Sequence, residues 1–123
     1  MNTKNDSVRK EKLKMIDWLI EHFPAAFFKK TGDVKPLKIG IFEDILDFYE
    51  RLDVPPFSKK SLREAINYYS ASPAYLKCQK KAVARVDLYG NEVDVVTEEQ
   101  AKYAYQRFQK RYGEKTSSKG DTH

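Results

Sequence analysis

Ser58-Lys59-Lys60-Ser61-Leu62-Arg63-Glu64-Ala65-Ile66-Asn67-Tyr68-Tyr69-Ser70-Ala71-Ser72-Pro73-Ala74-Tyr75-Leu76-Lys77 holds two helix starts in close succession, each opened by a serine. Leu62, Ala65, Ile66 and Tyr69 fall at i, i+3, i+4 and i+7, which gives the first helix one buried side. Ser58 is its natural N-cap, and Lys59 and Lys60 occupy the first turn, where the helix dipole favours acids. An anion would relieve that mismatch, because the backbone amides, the dipole and two ammonium groups would meet on one phosphate. Lys59 and Arg63 are four apart and share a face that Asn67 continues. Ser72 caps a second, short helix with Pro73 at its first position, and the amides near Ala74 and Tyr75 are left open beside a phenol.

Upstream, residues 1–7 are polar and read as a loose leader. From Val8 an amphipathic helix carries Leu13, Ile16, Trp18, Leu19 and Ile20 as far as Phe23-Pro24. Pro24 suits the start of a short helical turn through Phe28, and residues 29–38, with Thr31-Gly32-Asp33 and Lys35-Pro36, read as an irregular surface segment. A further helix follows from Gly40 or Ile41 to Leu52, with Ile41, Ile45, Leu46, Phe48 and Tyr49 on its apolar side, and Asp53-Val54-Pro55-Pro56 ends it. Phe23, Phe27, Phe28, Phe42, Phe48 and Phe57 are core candidates.

Downstream, Val83-Ala84-Arg85-Val86-Asp87-Leu88 alternates as a half-buried strand, with Val83, Arg85 and Asp87 on one face and Ala84, Val86 and Leu88 on the other. Tyr89-Gly90-Asn91 supplies a hairpin turn and Glu92-Val93-Asp94-Val95-Val96 the returning strand. Thr97-Glu98-Glu99-Gln100 has the form of a capping box opening a final helix to Tyr112, which Gly113 stops. The expected architecture is a mainly helical α+β domain over residues 8–112, with about five helices, one small hairpin before the last, and a disordered tail over 113–123.

The 123 residues make one domain of ordinary size. Lysine and arginine number 23 against 18 aspartates and glutamates, a net charge of +5, which leans towards an anionic partner. The single Cys78 has no partner for an internal disulfide, and His22 and His123 are too few for a zinc site. No cofactor or metal is implied. No apolar run has the length of a signal peptide or membrane span, so a cytoplasmic protein without a membrane partner is expected. Nucleophile-elbow and phosphate-loop patterns are absent, and Asp44, Asp47, Glu98 and Glu99 are explained by solubility or capping, so no enzyme or small-molecule substrate is indicated.

The basic candidates are Lys38, Lys59, Lys60, Arg63, Lys77, Lys80, Lys81 and Arg85, and any lysine among them reads equally as solvated surface. Gly40 either begins a helix or keeps the surface near Lys38 open to a backbone. Arg85 either pairs with Asp87 or another acid, or offers its fork to phosphate. Tyr75 is either a core aromatic with a bonded hydroxyl or a ring presented to a nucleotide. Exposed aromatics such as Tyr68, Tyr103 and Tyr105 leave a second class open, a protein-interaction adaptor.

Phe23-Pro24, Lys35-Pro36-Leu37-Lys38-Ile39-Gly40-Ile41-Phe42, Ser58-Lys59 with Leu62-Arg63, Tyr75-Leu76, and Ala84-Arg85-Val86-Asp87-Leu88 with Gly90-Asn91 stand in order between Trp18 and Gln109. On these segments the chain resembles the FinO/ProQ family of bacterial RNA chaperones. The resemblance implies a compact helical domain that binds small RNAs and messenger 3′ ends at intrinsic terminators, acting as a monomer in post-transcriptional regulation. It places Lys38, Lys59, Arg63, Tyr75 and Arg85 on the RNA face, with Tyr75 and the helix start at Ser72 at the 3′ terminal nucleotide of an oligo-U tail. The chain departs from the family pattern at Asn67, where some relatives are basic, and at Pro73-Ala74, where relatives can have an aromatic and a basic residue. It also ends soon after the domain, so the resemblance implies protection of RNA 3′ ends and assistance to pairing with messenger targets only as far as these do not depend on the extensions of larger members.

Overall fold

The computed structural model describes residues 3–113, with side chains from Lys10 onward. Five α-helices are formed among them: α1 (Thr3–His22), α2 (Ile41–Glu50), α3 (Lys59–Ser70), α4 (Pro73–Cys78) and α5 (Glu98–Phe108). A two-stranded antiparallel hairpin, β1 (Ala84–Val86) and β2 (Glu92–Val95), precedes the last helix. The protein is therefore mainly helical α+β, as its periodicity predicts. The first helix begins at Thr3, ahead of Val8, since no proline or glycine interrupts the polar residues there. The tail expected over 113–123 lies, apart from Gly113, outside the described residues.

One cluster forms the core. Met15 and Leu19 of α1, with Phe23 just beyond its end, lie four apart and pack with Ile41, Ile45 and Tyr49 of α2 and with Leu62, Ala65, Ile66 and Tyr69 of α3. Met15 is buried, whereas Leu13, expected on the apolar side of the helix, is 43% exposed. Burying a side chain of this size stabilises by about 1.5–3 kcal/mol. Phe27 is wholly buried, but Pro24–Ala26 is a turn and not a helix: the amides of Ala26 and Phe27 both donate to Phe23 O.

Residues 29–38 are less irregular than their turn signals suggest. After a 3-10 turn at Thr31–Asp33, Leu37 pairs in parallel with Val86, framed by Lys38 N to Val86 O at 2.8 Å and Val86 N to Pro36 O at 3.0 Å. The Pro36-Leu37-Lys38 segment thus borders β1 opposite β2. Across β1 and β2, Ala84 faces Val95 and Arg85 faces Asp94, with an irregularity before Val86 faces Glu92. Gly90 closes the hairpin at φ 86°, and a Cβ there would meet Ala25 Cβ at 2.9 Å, so both backbone and space require glycine.

Three buried phenols tie loops to this core. Tyr69 accepts from Phe28 N at 3.0 Å, Tyr75 from Leu37 N at 2.9 Å, and Tyr49 from Phe57 N at 2.6 Å while donating to Phe57 O. Each satisfies an amide in a segment without helical partners.

Candidate nucleic-acid interface

The start of α3 is built as its sequence indicates. Ser58 is extended, its Oγ accepts from Ser61 N at 3.0 Å, and Ser58 O takes the Leu62 amide. The amides of Lys59 and Lys60 have no intrahelical acceptor. The first turns of α2 and α5 carry acids, Glu43 and Asp44 in one and Glu98 and Glu99 in the other, whereas that of α3 carries none. Ser58, Lys59, Lys60, Arg63 and Asn67 are all exposed. Arg63 is steadied by the Phe42 ring, whose centre lies 4.4 Å from its guanidinium carbon. Lys59 bridges to Glu50 at 2.7 Å, and Lys60 has no ion pair among the described residues.

Lys38 is paired with Asp44 of α2 at 2.7 Å. That bond raises its pKa, with the charge of Asp87 adding to it. Asp44, Asp47 and Asp87 line one cleft with Lys38, so its charge is largely answered within the protein. Burial works to raise the Asp87 carboxyl, but the amides of Asn91 and Tyr89 and the Asn91 side chain outweigh it and hold the group below its usual pKa. Asp87 therefore closes the hairpin and does not pair with Arg85. Gly40 caps α2 at φ 89°, and a Cβ there would meet only Glu43 Oε1 at 3.8 Å, so the surface is open at that point.

Of the two courses open to it in sequence, Arg85 does not take the first, pairing with Asp87 or another acid. It is 6% exposed, and no carboxylate reaches it. Nη1 donates to Leu37 O at 2.8 Å, and Nη2 to Gln79 Oε1 and Gln100 Oε1, each at 3.1 Å. Nε is buried without a partner among the described residues. Gln100 Oε1 also accepts from Thr97 N at 3.0 Å, so one amide side chain completes the capping box of α5 and holds the arginine. The capping box was legible in the sequence; its second duty was not.

Tyr75 is likewise interior, 7% exposed and part of the core cluster, with its hydroxyl on Leu37 N. Burial raises its pKa, opposed by that backbone bond and by the nearby Arg85 charge. Its amide, expected to be open, is held by Ser72 Oγ at 3.3 Å, and Ser72 Oγ donates to Tyr69 O at 2.7 Å. Leu37 is thus gripped at its amide by Tyr75 and at its carbonyl by Arg85.

The candidates are distributed over several surfaces. Tyr75 and Arg85 share a cleft of about 350 Å³ with Gln79, Gln100, Tyr103 and Arg107. Ser72 and Lys77 border an apolar groove against α1, and Lys77, Lys80 and Lys81 line a third cleft against α5, where Lys81 also lies 3.6 Å from Glu98. Gly40, Lys59, Lys60 and Arg63 line none of these. Cys78 donates to Tyr75 O, and burial pushes its thiol up to about 12, which disfavours the thiolate. Among the described residues no three His, Cys, Asp or Glu side chains group to hold a metal ion, and no helix is long and apolar enough to cross a membrane.

Comparison with known proteins agrees with this fold. The model of the ProQ/FINO family matches residues 9–121. An RNA chaperone ProQ of Aeromonas salmonicida is 46% identical over 101 residues, which cover 78% of this chain and 46% of that protein. One of Pasteurella multocida is 37% identical over 94 residues, covering 76% and 43%. The chain thus spans about half the length of the curated relatives it matches. The solution structure of a ProQ homolog from Legionella pneumophila superposes with a TM-score of 0.74 at 79% identity, covering 83% of this chain and 84% of that one. A FinO-like RNA chaperone from Neisseria meningitidis shares the fold at 20% identity, with a TM-score of 0.62 and coverage of 85% and 82%.

Proposed function

The chain belongs to the ProQ/FINO family, and from that premise we propose that it is an RNA chaperone that grips terminator hairpins of small RNAs and messengers at their base and 3′ oligo-U end. One observation carries the reading: the start of α3 presents the open amides of Lys59 and Lys60, their ammonium groups and Arg63, with no acid in that turn. A phosphate seated there meets the helix dipole and several donors at once. An A-form duplex hides its base edges, so such a face reads shape and backbone more than sequence. Lys38 and Gly40 extend the surface beside α2. Their use requires Lys38 and Lys59 to exchange carboxylate partners for phosphates, which exposed pairs do readily.

The interior positions of Tyr75 and Arg85 favour an indirect part in this recognition. By holding Leu37 from both sides they fix Lys38 and Gly40, while Ser72 and the start of α4 supply the stop for the 3′ end. The proposal includes a monomeric, cytoplasmic mode of action in which the bound 3′ end is protected.

The test compares three RNAs: a terminator hairpin ending in a 3′ hydroxyl, the same RNA with a 3′ phosphate, and the same RNA without its U tail. The first is expected to bind most tightly, with affinity falling steeply as salt rises. Equal affinity for all three would end the claim of end recognition.

A further inference from the structure

The cleft between the end of α4 and α5 extends the RNA-binding reading, on which it rests, to a second part of the ligand. Its lining holds Lys77, Lys80 and Lys81 and no acid, whereas the Lys38 cleft sets three aspartates beside its cations and the Arg85 cleft includes Glu99. Its volume is about 480 Å³, within the span of about 300–1,000 Å³ typical of clefts that enclose small ligands.

Two aromatic rings on α5 wall it, and they differ in kind. Phe108 is half-buried, packed 5.4 Å from the Tyr112 ring and covered by Lys77 Nζ at 5.4 Å. Tyr105 is 62% exposed, and no side-chain hydrogen bond or aromatic partner holds it among the described residues. Folding leaves its ring unused beside three ammonium groups.

The backbone supplies an independent sign. Ala82 sits at φ 72°, the one non-glycine residue with positive φ among those described. An L-residue in the left-handed region persists only where its surroundings over-determine it, and such strain gathers at binding segments. Here Ala82 N donates to Val96 O at 2.8 Å, Lys80 N to Cys78 O at 2.9 Å and Val83 N to Lys80 O at 3.0 Å. Lys80 and Lys81 therefore leave the surface from a fixed turn.

We propose that this cleft is a second RNA site, which takes an unpaired stretch of the strand leaving the hairpin. One base stacks on Tyr105, and flanking phosphates meet Lys77, Lys80 and Lys81. A cationic groove walled by an unused aromatic ring is the combination that holds single strands without reading sequence. A duplex offers no unstacked base to such a ring. A protein partner is disfavoured because lysine is depleted at protein interfaces. Lys81 gives up its loose contact with Glu98 in the process.

Binding of the native chain to a terminator hairpin with its U tail is compared with binding to the same hairpin carrying a mixed-sequence unpaired 5′ extension of about ten nucleotides. The extension tightens binding. Tyr105→Ala abolishes that gain, a loss of roughly 5- to 150-fold for one stacked base, and leaves binding of the plain hairpin unchanged. Tyr105→Trp retains the gain, and Lys80→Ala with Lys81→Ala lowers the salt dependence for the extended RNA alone. An extension that adds nothing, or a Tyr105→Ala chain that loses both RNAs alike, overturns the second site while the hairpin reading stands. A native chain that binds neither RNA removes both.

Discussion

Removing the hydroxyl of Tyr75 leaves the Leu37 amide buried with no acceptor. Tyr75→Phe is therefore expected to lower unfolding free energy by about 1–3 kcal/mol, measured by urea titration. Arg85 offers a sharper test, because a direct phosphate contact and a hold on Leu37 differ in charge dependence. Each phosphate contact adds about 0.7–0.9 to the slope of log affinity against log salt. Lys60→Ala should reduce that slope by about this amount, whereas Arg85→Ala should weaken binding and leave the slope unchanged. Arg85→Lys should bind no better than Arg85→Ala, since an ammonium cannot reach Leu37 O, Gln79 and Gln100 together as the planar fork does. The bonded, buried hydroxyl of Tyr75 was one of the two readings its sequence offered, whereas the hold of Arg85 on Leu37 was not legible there. The partners of Arg85 are neutral carbonyls up to 48 residues away in the chain, and pairing rules based on nearby acids do not find them.

At the scale of elements, the helices are legible through spacing and caps: Ser58, Ser72 and Thr97 are the N-caps their sequence indicates, although Ser72 takes the Tyr75 amide that was expected to stay open. The Leu37–Val86 pairing is not, because Lys35-Pro36 reads as a turn and a single bridge leaves no alternation to detect. The candidate surface at α3 was legible for the same local reason as its cap. Its separation from the Arg85 cleft was not, since it depends on how helices stack. Gln100 joins two elements in one side chain, and this separates two substitutions. Thr97→Ala removes a cap and is expected to lower stability by about 0.5–2 kcal/mol with little effect on RNA binding. Gln100→Ala removes the Thr97 bond and the Arg85 contact together, so thermal melting and RNA affinity should both fall.

For the molecule as a whole, the buried phenols set an alkaline limit. Burial, opposed by the Phe28 amide, raises the pKa of Tyr69 from 10.0 to about 12. The unfolded chain releases this proton first, so the stabilisation is complete below pH 10 and is lost as pH rises towards 12. Cys78, raised from 9.0 to about 12, contributes with the same sign. Urea midpoints should therefore decline through this range, and Tyr69→Phe should decline less steeply from a lower starting stability. The same three phenols also determine which amides trade protons with solvent. Phe28, Leu37 and Phe57 lie in segments where exchange would ordinarily be fast, yet each N–H ends on a hydroxyl rooted in the core. In deuterated water these three should outlast the unbonded loop amides by orders of magnitude and exchange with the helices, reporting from within the loops how often the entire domain opens.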